Sequence, residues 1–386
     1  MKELRVLSPT AILGYGFPVD SFEKGLERDP DLIAVDGGSS DPGPYYLGAG
    51  TSFTDKTAVK RDLKLMIEAG QERNIPVMVG TSGGSGAASH LKWCKEIVEE
   101  IAEEEDLSFK LATIQAEQGK EFILDQFEAG NISPLAPAGD ITKKELEETT
   151  RIVGQMGVEP FIKALDEGAE VVLAGRAYDP TVFASYCIKN DFPAGLALHM
   201  GKIMECASIA ANPGSGSDCM FGTLKEDHFI LEPLNPSRKC TTTSVAAHTL
   251  YEKTNPLELH GPGGVLDLTA TEFEQYDERS VKVSGSKFIE DKDYTIKLEG
   301  AKKVGYRTLS IAGTRDPIMI EQLDHTIQVV KDTVRDNFDD LSEEDYNLIF
   351  RVYGKSGVMG ELEPSPEVES HEVGIIIEVV ANTQEL

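Results

Sequence analysis

Residues 75–105 constrain this chain most. They read as a strand, Ile75-Pro76-Val77-Met78-Val79, then Gly80-Thr81-Ser82-Gly83-Gly84-Ser85-Gly86, then a long helix from Ala87 to Glu105. A glycine turn between a strand and a helix is the joint of an α/β unit. It allows positive φ and close backbone approach. It also leaves amides at a helix N-terminus, where an anion can sit. Ser82, Gly83, Gly84, Ser85 and Gly86 are therefore candidate ligand-binding positions. The alternative is a turn that only packs a helix onto a sheet. The glycine spacing fits neither the dinucleotide fingerprint nor the phosphate loop, because no lysine follows.

The pattern around this joint repeats. Residues 4–7, 32–35, 76–79, 109–114 and 169–174 read as strands, with helices at 56–73 and around Phe161, Ile162, Ala164 and Leu165. Strand–helix alternation predicts an α/β fold with a mostly parallel, Rossmann-like sheet. From about Asp227 the texture becomes antiparallel. Strands are expected at 281–283, 294–298, 307–311, 348–352 and 373–380, and a helix at 318–337. This gives two expected domains: residues 1–220, α/β with glycine-rich loops, and residues 221–386, a second α+β domain. The break is placed between Asn212 and Asp227, at Pro213-Gly214-Ser215-Gly216-Ser217.

With 66 acidic and 37 basic residues the net charge is -29, which repels nucleic acid and anionic lipid. An anionic small-molecule substrate would need a locally positive pocket. Acid runs such as Glu103-Glu104-Glu105-Asp106 read as a solvated helix face. The 386 residues, 40% hydrophobic, can bury a large core. No apolar run spans a bilayer and no leader is evident. Five cysteines (Cys94, Cys187, Cys206, Cys219, Cys240) without a CxxC pair argue against a disulfide framework. A cytoplasmic location is expected.

In parallel sheets the ligand gathers at the strand C-termini. Three rich loops fall there: Asp36 to Tyr46, the glycine turn, and Gly175-Arg176-Ala177-Tyr178-Asp179-Pro180. Asp36 suits a metal, a ribose hydroxyl or a proton; turn chemistry is its bland reading. Arg176 offers a guanidinium fork for carboxylate or phosphate, or a structural ion pair with Asp179 or Asp36. Asp179-Pro180 signals a helix start. Glu205 within an apolar helix is a candidate acid or base, whereas the neighbouring Cys206 is more ordinarily core. His260, in the turn His260-Gly261-Pro262-Gly263-Gly264, is a third acid/base candidate. His90, His199, His228, His248, His325 and His371 lack metal-ligand spacing. The Asp36, Gly83 and Arg176 loops should share a cleft with His260, floored by Tyr45, Tyr46 and Tyr178.

Gly175–Pro180, Gly201-Lys202-Ile203-Met204-Glu205-Cys206 and residues 372–386 resemble the AtuA family, named for acyclic terpene utilisation. The resemblance spans nearly the whole chain, and the family pattern is expected to run past Leu386. It implies breakdown of branched unsaturated acids, commonly as coenzyme A thioesters, and transfers no catalytic residues. The expected function is an enzyme of carboxylic acid or acyl-CoA catabolism, a hydratase or lyase. Catalysis is expected from Glu205, His260 and Asp36; binding from Ser82–Gly86, Arg176, Asp179 and Tyr178. No dedicated metal site is expected, though a divalent ion at Asp36 is one route. A nucleotide-using ligase or transferase, and a non-catalytic subunit needing a small partner protein, are the alternatives. A homo-oligomer is expected. Substrate and reaction step are not legible.

Overall fold

The computed structural model describes residues 2–136, 139–251, 255–342, 345–365 and 367–386. It divides into two compact units, residues 1–302 and 303–386. The break expected between Asn212 and Asp227 falls inside the first unit.

The first unit opens with β1 (Glu3–Ser8), α1 (Val19–Leu26), β2 (Leu32–Asp36), α2 (Pro44–Ala49), α3 (Lys56–Arg73), β3 (Val77–Gly80) and α4 (Ala88–Glu104). It continues through β4 (Leu111–Ile114), α5 (Lys120–Glu128), α6 (Lys143–Glu148), β5 (Thr149–Gly154), α7 (Glu159–Asp166), β6 (Val171–Ala174), α8 (Pro180–Lys189) and α9 (Ala194–Met204). Then come β7 (Met220–Lys225), β8 (His228–Pro233), α10 (Thr242–Leu250), β9 (Glu258–Gly261), β10 (Gly264–Asp267), β11 (Glu272–Gln275), β12 (Val281–Ser284), β13 (Lys287–Glu290) and β14 (Leu298–Lys302).

Nine of these strands form one sheet, ordered β11-β12-β8-β7-β1-β2-β3-β6-β4. Strands β1, β2, β3, β6 and β4 run parallel. The remaining four extend the sheet antiparallel from β1, with Val6 opposite Gly222. This extension is why residues 220–284 belong with the first unit. Strand β14 begins where the expected strand at 294–298 ends, and pairs with β5 outside the large sheet.

Side-chain alternation along the parallel strands builds two cores, as the two-residue period requires. Leu32, Ala34, Met78 and Val172 face α7, α8 and α9 with Phe161, Phe183 and Met200. Ile33, Val35, Val77, Val79 and Leu173 face α3 and α4 with Leu63, Met66, Ile97 and Ile101. Strands buried on both faces read as the continuous apolar runs seen in the sequence. Helix α3 starts at Asp55, whose carboxylate accepts from the Thr57 and Ala58 amides, and stops at Asn74 in the left-handed region. Part of the acidic run is not merely solvated: Glu100, Glu104 and Glu105 pair with Lys56, Lys60 and Lys64 across α3 and α4.

The second unit contains β15 (Tyr306–Thr314), α11 (Pro317–Glu321), α12 (Leu323–Asn337), β16 (Tyr346–Tyr353) and β17 (Val373–Ala381). Its sheet is ordered β15-β17-β16, all antiparallel. Leu323 packs on Val352, Val373 and Ile375. The helix expected at 318–337 is two helices, interrupted at Gln322.

Candidate functional site

The loops after β2, β3 and β6 meet at one edge and are tied together through their backbones. Gly37 N–H donates to Gly80 O (2.8 Å), Thr81 N–H to Gly175 O (3.1 Å), Ser82 N–H to Ala174 O (2.8 Å) and Arg176 N–H to Gly86 O (3.1 Å). Gly86 has φ +68, and a Cβ there would overlap the Arg176 backbone. Only glycine permits this approach.

The glycine turn therefore spends much of its donor capacity inside the protein. Gly84 N–H also donates inward, to Thr81 O. The first amide of α4, at Ala88, is taken by the Glu117 carboxylate at 2.8 Å. The anion at this helix end is one of the chain's own side chains. Glu117→Ala should lower stability by about 0.5–2 kcal/mol, the ordinary cost of losing a cap, read from urea unfolding. Added inorganic phosphate should leave the wild-type midpoint unmoved. A phosphate-dependent rise would restore the turn as an anion site.

Arg176 is buried in a carboxylate cage. Its Nε and Nη2 meet Glu299 at 3.1 and 3.0 Å in a two-pronged pairing, and Nη1 meets Asp179 at 2.7 Å. Nη1 also donates to Ala177 O and Thr81 Oγ1. Helix α8 does begin at Pro180, but the Asp179 carboxylate turns to Arg176 instead of capping it.

Asp36 ends β2 within this cage. Its Oδ1 is buried without a hydrogen-bond partner. Burial is the main force lifting its carboxyl well above the ordinary range, with Asp179 and Glu205 adding to the lift. Arg176 and the Gly38 amide oppose it. The balance favours the protonated form of this carboxyl more than at an ordinary exposed aspartate.

Glu205 sits just past the end of α9, next to Lys202. The two pair at 2.6 Å with 7% and 2% of their side chains exposed. Burial works against the Lys202 charge, but Glu205 outweighs it and holds the ammonium protonated. The Lys202 ammonium also lies 5.8 Å from the centre of the Tyr251 ring, and that ring stacks on His248. Burial, with Lys202 adding, brings the His248 imidazole down to about 4, so it stays neutral. Tyr178 is within electrostatic reach of Glu205, Asp179 and Lys202, and burial pushes its phenol up.

Asp36, Arg176, Tyr178, Asp179 and Glu205 thus form one polar cluster, as the strand C-terminus rule leads one to expect. Lys202, Glu299 and His248 join this cluster and were not among the site residues expected from the sequence. Lys202 lies three residues before Glu205, the spacing that places both on one helix face. Glu299 arrives from β14.

His260 is placed differently. Its hairpin lies against the cluster, because a Cβ on Gly261 would stand 2.7 Å from the Tyr178 ring. Its side chain, however, is exposed, and it pairs with Val265 across the hairpin. The flanking Leu259 and Gly261 face Tyr178 instead, lining a cavity of about 480 Å³. Tyr45 and Tyr46 do not floor this cavity. Tyr45 is exposed, and Tyr46 packs against Phe53 and Tyr45. Cys206 is half-buried. His199 is a core residue, bonded to Ser286 and Thr249. Among the described residues, no group of three or more His, Cys, Asp or Glu could hold a metal ion. Among them, too, no helix is long and apolar enough to cross a membrane.

The fold is a mixed α/β sheet with a buried cluster of charged and polar side chains beside the ends of its parallel strands. The chain belongs to the acyclic terpene utilisation family AtuA, whose sequence profile matches residues 53–215 and 228–386. Involvement in acyclic terpene utilisation is consistent with a catabolic role. No curated protein and no solved structure matches the chain.

Proposed function

We propose that the chain is a catabolic hydro-lyase that adds water to a branched unsaturated acid carried as a thioester, or forms that alkene by removing water from the corresponding hydroxyacyl thioester. The observation that carries this reading is the buried Asp36 carboxyl, whose Oδ1 has no hydrogen-bond partner, set beside Asp179 and Glu205, which are engaged in ion pairs with Arg176 and Lys202. Hydration needs an acid for carbon and a base for water, and environments that push two carboxyls apart supply both. Asp36 gives its proton to the α-carbon. Asp179, the more exposed carboxylate at 29%, accepts the proton of the attacking water. Both cations of the cluster are already matched by carboxylates, which disfavours a free carboxylate substrate and favours a neutral thioester carbonyl. Asp36, Asp179, Glu205, Arg176 and Tyr178 are the proposed site residues.

The test is loss of conjugated-alkene absorbance with a panel of unsaturated acyl thioesters. Asp36→Asn should reduce turnover by about a hundredfold, the lower end of what one positioned acid or base contributes. Cys206→Ala should leave turnover nearly intact. Asp36→Asn should also change the pH dependence of folding. A carboxyl raised in the native state binds a proton that the unfolded chain releases, so wild-type stability falls as pH rises from about 3.9 toward the raised native value. The asparagine variant should lose that slope and be at least as stable at pH 7. Wild-type turnover in Asp36→Asn, or covalent labelling of Cys206 that abolishes activity, would replace the acid–base reading.

A further inference from the structure

The 480 Å³ cavity is lined in part by Tyr178 and by none of Arg176, Asp179, Lys202, Glu205 and Glu299. One wall is a three-stranded sheet, β13-β10-β9, in which Phe288, Leu266 and Leu259 stand in register. The facing wall comes from α7 and α9, with Ile162 and Leu198. Both walls are apolar, and Tyr178 belongs to cavity and cluster alike. Among the described residues, the ionisable groups in the lining besides Tyr178 and Tyr294 are carboxylates: Glu159, Glu290 and Asp291. Glu290 and Asp291 are exposed, and Glu159 accepts from Tyr294 Oη at 2.8 Å. No lysine, arginine or histidine among the described residues lines it.

We infer that this cavity takes the chain of the substrate and selects against a second charge on it: the ligand is an acyl group whose far end is apolar and uncharged, not a dicarboxylic one. This rests on the thioester reading above for which end meets Tyr178. A volume of this size lies within the ordinary range for small-molecule pockets. Apolar walls reward each buried methylene. A terminal carboxylate would leave water to face like charges where no cation compensates it.

The test uses unreactive probes, so that binding is read without turnover. Saturated straight-chain acyl thioesters of N-acetylcysteamine, four to ten carbons long, are titrated by calorimetry. Affinity should rise about fourfold per added methylene until the cavity is filled. The eight-carbon thioester bearing a terminal carboxylate should bind at least about tenfold more weakly than its methyl-ended counterpart. Glu290→Gln with Asp291→Asn should narrow that gap. Leu198→Trp should flatten the chain-length dependence, and Leu266→Ala should move the optimum to longer chains. Equal affinity for the two eight-carbon probes overturns the charge selection. An unaltered chain-length series in both Leu198→Trp and Leu266→Ala overturns the cavity itself. If the series behaves as stated while no unsaturated thioester is hydrated, the hydro-lyase reading falls and the acyl site stands.

Discussion

Arg176→Met should lower the unfolding free energy by about 3–5 kcal/mol, because it strips the partner from carboxylates that stay behind. Glu299 is 11% exposed and Arg176 itself 4%. Arg176 is the main influence holding the Glu299 carboxyl below its ordinary range against burial. Without the guanidinium, Glu299 must remain charged in a poorly solvated place or take up a proton. Arg176→Lys keeps the charge but loses the fork, and should cost about 1–3 kcal/mol, the worth of a hydrogen bond to a charged group. Urea unfolding reads both. A loss below about 1 kcal/mol for the methionine variant would mark these as ordinary surface pairs and return Arg176 to the role of ligand anchor.

The Lys202–Glu205 pair should show strong coupling. Lys202→Met takes from the buried Glu205 its ammonium partner, and Glu205→Gln takes from Lys202 its carboxylate. Each single change should cost about 3–5 kcal/mol, while the double variant should recover most of the loss, since a neutral pair needs no compensation. Turnover should not recover with it if the Glu205 carboxylate takes part in proton movement. Removing Lys202 also removes one of the two influences that keep His248 neutral. Its imidazole should then titrate closer to the ordinary value, visible by NMR. Additive single-variant costs, with no rescue in the double, would mean the two side chains act on different neighbours.

Much of the parallel half was legible because β2, β3 and β6 are buried on both faces and α3 and α4 bury apolar residues at helical spacing. Leu63, Met66 and Ile67 mark α3 by spacing alone, and the helix covers the residues expected of it. The antiparallel extension was not legible as part of the same sheet. Nothing local to Met220–Lys225 says that its partner is Glu3–Ser8, more than two hundred residues earlier. The site followed the same division. Asp36 and Arg176 could be placed together because both end parallel strands. Glu299 could not, since β14 reaches Arg176 only through its pairing with β5. His260 shows the limit of reading a turn as an exposed reactive group. The two-residue period of the strand turns Leu259 toward the cavity and the imidazole away from it.

The distance along the chain between Arg176 and Glu299 also sets an order of assembly. The two partners are 123 residues apart. At ordinary rates of synthesis, about 5–20 residues per second, the arginine leaves the ribosome roughly 6–25 s before its main carboxylate partner exists. During that interval the parallel strands β1, β2, β3, β6 and β4 are all available, yet the edge they form carries a guanidinium lacking half its cage. The nascent chain can therefore build its layers early while the site closes late, when β14 emerges to lie beside β5.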